Sequence, residues 1–234
     1  MFIEKIKSLD WSTLTDSIYS KTAKDVEVAL AKDKRDLEDF KALISPAAAP
    51  YLEQMAALSS QLTQKRFGKN IQLYVPLYLS NYCENRCVYC GFNAENKIKR
   101  TVLSGEEIVD EMEAISKFGF KHILLVTGEA SKKAGIDYLK TAFELIKPKT
   151  SLISIEVQPL EEQGYRDLVD AGLHTVYLYQ ETYNHKTYKK YHLGGKKADF
   201  DYRMDAYERM GKAGVYKIGL GILAGLEDWR TDSF

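Results

Sequence analysis

No segment of the 234-residue sequence approaches the roughly 18 consecutive apolar residues that a membrane-spanning helix needs. Residues Met1 to Asp10 have no basic stretch followed by an apolar run, so they do not read as a secretory signal. Neither sign of charge is in excess, with 33 Lys and Arg against 33 Asp and Glu, so no global field draws the chain to nucleic acid or to an acidic membrane. These absences predict a cytoplasmic protein whose partners are small molecules. Internal repeats and low-complexity tracts are missing too. No cysteine lies outside the window 83–90, which excludes a long-range disulfide, and no fourth cysteine is present to close an all-thiolate zinc site.

An apolar content of 45% is enough to bury a good core. Residues 1–70 carry apolar groups at helical spacing (Val26, Leu30, Leu37, Phe40, Leu43), broken at Pro46 and Pro50, and predict an N-terminal helical segment. In 71–234 short β-rich runs alternate with amphipathic stretches. The strands are expected at Ile71–Leu79, His122–Thr127, Leu152–Val157, Thr175–Tyr179 and Tyr216–Leu223. Ser104 with Glu107 three residues on is a capping box, after which Ile108, Met112 and Ile115 form one stripe that Gly119 stops. Further helices are expected over Ile136–Ile146, Leu160–Ala171 and Phe200–Ala213. This is the α/β rhythm of a parallel sheet, and periodicity is equally compatible with an open doubly wound sheet and with part of a barrel. The chain stops at Phe234 just after a glycine-rich strand exit, with no closing helix expected, which reads as a truncated barrel.

The chemistry-bearing signal is Cys83-Glu-Asn-Arg-Cys87-Val-Tyr-Cys90, directly after the first strand. A loop at the carboxyl end of a parallel strand lies where α/β folds bind ligands. Three thiolates at this spacing can hold three irons of a [4Fe–4S] cluster and leave the fourth open to the amino and carboxylate groups of S-adenosylmethionine. The rival reading is zinc, with a distant histidine such as His122 as the fourth ligand.

At these residues the sequence resembles the radical S-adenosylmethionine superfamily, and within it the 2-iminoacetate synthases, the tyrosine lyases of thiazole and thiamine biosynthesis. The motifs are Pro76–Cys83, Leu125–Glu129, Glu156–Leu160, Tyr179–Tyr183, His192–Lys197 and Lys217–Gly221. The resemblance implies a partial (β/α) TIM-type barrel of the radical SAM type. It also implies cleavage of the Cα–Cβ bond of L-tyrosine to 2-iminoacetate and p-cresol, with a flavodoxin or ferredoxin as reductant and thiazole synthase as a further partner. Two rivals are the tyrosine lyase of hydrogenase maturation and an iron–sulfur electron carrier or scaffold.

The resemblance also assigns roles. Cys83, Cys87 and Cys90 become the metal ligands, with Tyr89 in the aromatic position before the last of them. Thr127-Gly128-Glu129 matches the Gly-Gly-Glu motif that meets the methionine amino group, with threonine for the first glycine. Arg203 falls where an arginine meets the methionine carboxylate, a pairing that guanidinium geometry favours; an exposed helix arginine is the alternative. Glu156 and Thr182 join the cofactor contacts. Gly221 and Gly225 fall in the glycine-rich motif that approaches adenine, where tight strand exits would serve equally. Gln180 and Glu181 are expected at the substrate or ribose, and Tyr78 either near the substrate amine or in the core. Gly194-Gly195-Lys196-Lys197 lacks the P-loop pattern and reads as a solvated turn.

Overall fold

A computed structural model describes residues 2–234. The chain divides into two compact units, one of residues 6–72 with 224–234 and one of residues 73–223 with the N-terminal residues up to Lys5. The first helix, α1 (Phe2–Lys7), is followed by α2 (Trp11–Tyr19), α3 (Ala23–Ala31), α4 (Leu37–Ile44) and α5 (Leu52–Phe67). Asp10, Thr22 and Asp36 cap α2, α3 and α4 through their side chains, and Val26, Ala29, Ala42 and Ala48 bury a small core around the breakers foreseen at Pro46 and Pro50.

In the other unit β1 (Val75–Ser80), α6 (Gly105–Lys117), β2 (His122–Thr127), α7 (Ile136–Ile146), β3 (Leu152–Glu156), α8 (Glu162–Ala171), β4 (Leu173–Tyr177), α9 (His185–Tyr191), α10 (Phe200–Lys212) and β5 (Lys217–Gly219) follow in turn. The five strands are all parallel and lie in the order β1-β2-β3-β4-β5. Sequential order is what a barrel requires, whereas a doubly wound sheet reverses direction at a switch point. The architecture is therefore α/β with a partial barrel. Every residue of β2 is buried, and α6, α7, α8 and α10 bring Met112, Phe143, Leu168 and Met204 down as apolar cover. Tyr78, Val126 and Glu156 stand in register across β1, β2 and β3, so their side chains share one face.

The capping box of α6 forms as read from the sequence: Glu107 N–H donates to Ser104 Oγ, and Ser104 N–H to the Glu107 carboxylate at 2.7 Å. Strand ends differ from expectation. β1 starts at Val75 because Ile71–Tyr74 have no ladder partner, and Ile71 is 83% exposed. β4 lies two residues earlier than expected, and β5 has three residues. Helix α9 was not foreseen, since His-Lys-Thr-Tyr-Lys-Lys-Tyr has no apolar stripe; the Asn184 side chain caps it. A short helix, α11 (Trp229–Ser233), also follows β5 where none was expected, capped by Asp228 and belonging to the helical unit.

Candidate functional site

The cysteine loop leaves the carboxyl end of β1 and is stitched by its own backbone. Ala94 N–H donates to Asn85 O, and the Arg100 guanidinium donates to the carbonyls of Asn81, Phe92 and Asn93 at 2.7–2.9 Å. Arg100 thereby satisfies carbonyls that an irregular loop would otherwise leave unpaired. Cys87 is buried, while Cys83 and Cys90 are half-buried. Burial pushes the Cys87 thiol up to about 11, against the pull of Lys197.

The end of β2 is seated directly on this loop. Gly128 N–H donates to Ser80 O, and Glu84 N–H to Glu129 O. A Cβ at residue 128 would run into Tyr82 O and lie 3.0 Å from Cys83 Cβ, so this position has room for glycine alone.

Behind the loop lies a concentration of charge. Glu129 accepts from Arg203 Nη1 at 2.6 Å and from Asn85 Nδ2 at 2.8 Å, and both ionic side chains are nearly buried. Burial alone would raise the Glu129 carboxyl, but the charges of Arg203 and Lys197 and the two hydrogen bonds hold it below its usual range. Arg203 Nε also donates to Tyr179 O, so this arginine is fixed inside the fold and not displayed on the outer face of α10. A second pair, Lys197 Nζ to Glu181 Oε1 at 2.7 Å, is similarly enclosed. Glu181 has φ 72°, the one non-glycine residue with positive φ among the described residues, a conformation that costs of order 1–3 kcal/mol and concentrates at functional sites. Glu156 is pushed upward by burial and by Glu181.

These groups line one cleft of about 260 Å³ with Tyr78, the three cysteines, Tyr89, Thr127, Gly128 and Tyr179. Thr127 Oγ1 is buried there without a partner among the described residues. Tyr78 is 56% exposed and meets the edge of Phe92, so it is not a core phenol. Gln180 and Thr182, on either side of Glu181, are fully buried and lie outside the cleft lining; neither amide atom of Gln180 has a partner among the described residues. Gly221 backs onto the Tyr179 ring, while Gly225, at φ 104°, lies in the helical unit. The Gly194–Lys197 segment is the solvated turn expected from its composition only in part, with Gly195 and Lys196 exposed but its other face set against the loop. Gly195 packs against Asn85, and the Lys197 side chain is 12% exposed in its ion pair. Asn85, Arg100, His192 and Lys197 were not picked out as site residues from sequence, because Asn85, His192 and Lys197 act through partners distant along the chain and Arg100 acts through backbone carbonyls that no side-chain pattern marks.

The Radical SAM superfamily profile matches residues 77–232, two thirds of the chain and the whole of this cleft. The chain belongs to the Radical SAM superfamily. It is 47% identical over its full length to the 2-iminoacetate synthase of Escherichia coli (strain K12), and 30% identical over 81% of its length to the 3-methylornithine synthase of Methanosarcina acetivorans. Among solved structures it matches HydG, a maturase of the [FeFe]-hydrogenase, with a TM-score of 0.83 and 28% identity over 99% of this chain and 50% of that one. The chain spans 62% of the length of the E. coli relative and 53% of the archaeal one.

The superfamily's cofactors are a [4Fe–4S] cluster and S-adenosylmethionine, and the residues present fit both. Among the described residues no three His, Cys, Asp or Glu side chains converge on a point suited to one metal ion. The three thiols at 83, 87 and 90 in one loop would supply one thiolate for each of three irons of such a cluster. For the zwitterionic methionine end of S-adenosylmethionine, the cleft offers a carboxylate at Glu129, a guanidinium at Arg203 and the unpartnered Thr127 hydroxyl. Among the described residues no helix is long and apolar enough to cross a membrane.

Proposed function

We propose that this chain is the cofactor-binding part of a radical lyase that cleaves the Cα–Cβ bond of L-tyrosine to 2-iminoacetate and p-cresol for the thiamine thiazole ring. The supporting observation is the seating of Gly128-Glu129 and Arg203 against a three-cysteine loop, in a chain 47% identical throughout to a 2-iminoacetate synthase. Cys83, Cys87 and Cys90 hold the cluster. Glu129 takes the methionine ammonium and Arg203 its carboxylate, each an opposite charge in a dry setting where charge-assisted bonds are strong. Tyr89, Glu156 and Glu181 flank the nucleoside side, and Tyr78 is placed for the substrate amine. The loaded pair of cofactors supplies a carbon-centred radical able to abstract hydrogen from tyrosine. The work of the chain is to hold cofactor and substrate close and to exclude water. A flavodoxin or ferredoxin is the reductant, and thiazole synthase receives the product.

Anaerobic reconstitution should give about four irons and four sulfides per chain, and Cys87→Ala should abolish that uptake. S-adenosylmethionine should alter the electron paramagnetic resonance signal of the reduced cluster, which an electron carrier would not show. Stoichiometric zinc without iron would overturn the reading. The likeness to HydG supports a second reading, the tyrosine lyase of hydrogenase maturation. Products formed from tyrosine by the protein isolated from its source separate the two: p-cresol without cyanide or carbon monoxide supports the thiazole enzyme, and either gas assigns the rival.

A further inference from the structure

The segment after α9 makes more contacts with the cysteine loop than its sequence suggests. Backbone bonds run in both directions. Arg86 N–H donates to Gly194 O at 2.9 Å, Leu193 N–H to Arg86 O at 2.8 Å and Val88 N–H to Tyr191 O at 3.0 Å, so Cys87 and His192 face one another as an antiparallel bridge. Side chains repeat the pattern. His192 Nδ1 lies 2.8 Å from Tyr188 O, a carbonyl that can only accept, so Nδ1 carries the proton and Nε2 accepts from Tyr89 O–H at 2.7 Å. Lys197 N–H donates to Asn85 Oδ1 at 2.9 Å, while Asn85 Nδ2 holds Glu129 and Lys197 Nζ holds Glu181. Gly195, at φ 82°, brings its backbone onto the loop; a Cβ there would overlap Asn85 Oδ1 and lie 2.6 Å from Asn85 Cα and Glu84 O.

We propose that residues 191–197 are a clamp that fixes the cysteine loop against the cleft, with His192 and Lys197 as positioning residues acting through Tyr89 and Glu181. One glycine and one lysine of the Gly194–Lys197 run are explained by this role. Gly195 is there because the clamp approaches to backbone contact, and Lys197 because Glu181 is held in a left-handed conformation that its own backbone disfavours. The clamp itself stands on the apoprotein geometry. Its effect on S-adenosylmethionine rests on the function proposed above.

Two substitutions with the same backbone penalty separate the clamp from general strain. Gly195→Ala and Gly214→Ala both place alanine at φ near 80°, but nothing lies within 4 Å of a Cβ at 214. In the apoprotein, Gly195→Ala and His192→Ala should speed alkylation of Cys87 and amide exchange at Arg86 and Val88 by about tenfold or more, the mark of local opening, with Gly214→Ala near wild type. His192→Ala keeps the experiment decisive if Gly195→Ala does not fold. After reconstitution, Lys197→Met should keep its iron but lose the response of the cluster signal to S-adenosylmethionine, and Lys197→Arg should restore it. Alkylation and exchange equal in Gly195→Ala, His192→Ala and Gly214→Ala would overturn the clamp. A full cofactor response in Lys197→Met would overturn the role of that lysine. Failure of the wild-type chain to take up iron, with the apoprotein differences intact, would instead overturn the cofactor reading and leave the clamp standing.

Discussion

The two ends of the same parallel strands bury polar groups in opposite ways. At the carboxyl end Glu129, Glu156 and Glu181 crowd against Arg203 and Lys197. At the amino end imidazoles meet hydroxyls instead: buried His122 Nε2 meets Ser154 Oγ, and half-buried His174 Nδ1 meets Thr175 Oγ1, each at 2.7 Å. Burial, more than any neighbouring charge, holds His122 below the ordinary histidine range. Among the described residues the His122–Ser154 contact leaves His122 Nδ1 without a partner, a cost smaller than that of a desolvated charge left unpaired. Parallel barrels place their chemistry at the carboxyl ends of strands, and in this chain the expensive groups sit at that end.

The contrast can be broken most sharply at Glu129. Glu129→Ala leaves the Arg203 guanidinium buried and unpaired, and should cost about 3–5 kcal/mol in urea unfolding. A loss near 1 kcal/mol would show that the charged end is wetter and more forgiving than its burial indicates.

Acid should weaken the cleft end through His192, which burial pushes down to about 4 despite its bond to the Tyr188 carbonyl. The unfolded histidine takes a proton near 6.5, so the unfolded state binds more protons between the two values. The contribution of His192 is therefore complete above 6.5 and falls away as pH drops from 6.5 toward 4, by about 3 kcal/mol at most. Unfolding measured across this window should show a slope that His192→Gln flattens; an identical slope in the variant would refute the assignment.

Ser154→Ala tests the amino end. It removes the partner of His122 Nε2 when Nδ1 already has none, and should cost about 1–3 kcal/mol without disturbing cluster uptake. Arg166→Ala is the smallest change, about 0.5 kcal/mol or less, because its pairing with Glu162 on α8 is half exposed and screened. A larger loss there would mean that burial is a poor guide to charge energetics in this fold.

Much of the chain was legible from local signals. The capping box at Ser104, the αL glycines that end α6 and α8, and the apolar runs of β2 and β3 are encoded within a few residues, so the elements could be read off. The ends of β1 and β5 could not. Ile71 and Leu223 look like strand residues, but pairing depends on what the neighbouring strand offers. Helix α9 was missed because its stability comes from burial of Tyr188 against Phe200 and His192, not from periodicity of its own.

The site divides in the same way. By itself the sequence determined that three thiols sit in one loop after a strand, and that a Gly-Glu pair ends the next strand, because chain proximity alone brings such groups together. Only the tertiary structure decided which carboxylate meets which cation. Arg203 is 74 residues from Glu129, and Lys197 is 112 residues from Asn85, separations at which sequence carries no record of distance. It likewise separated Glu181, turned into the cleft by a positive φ, from buried Gln180 and Thr182 on either side, since a left-handed residue past the end of β4 is fixed by packing and not by the period of a strand.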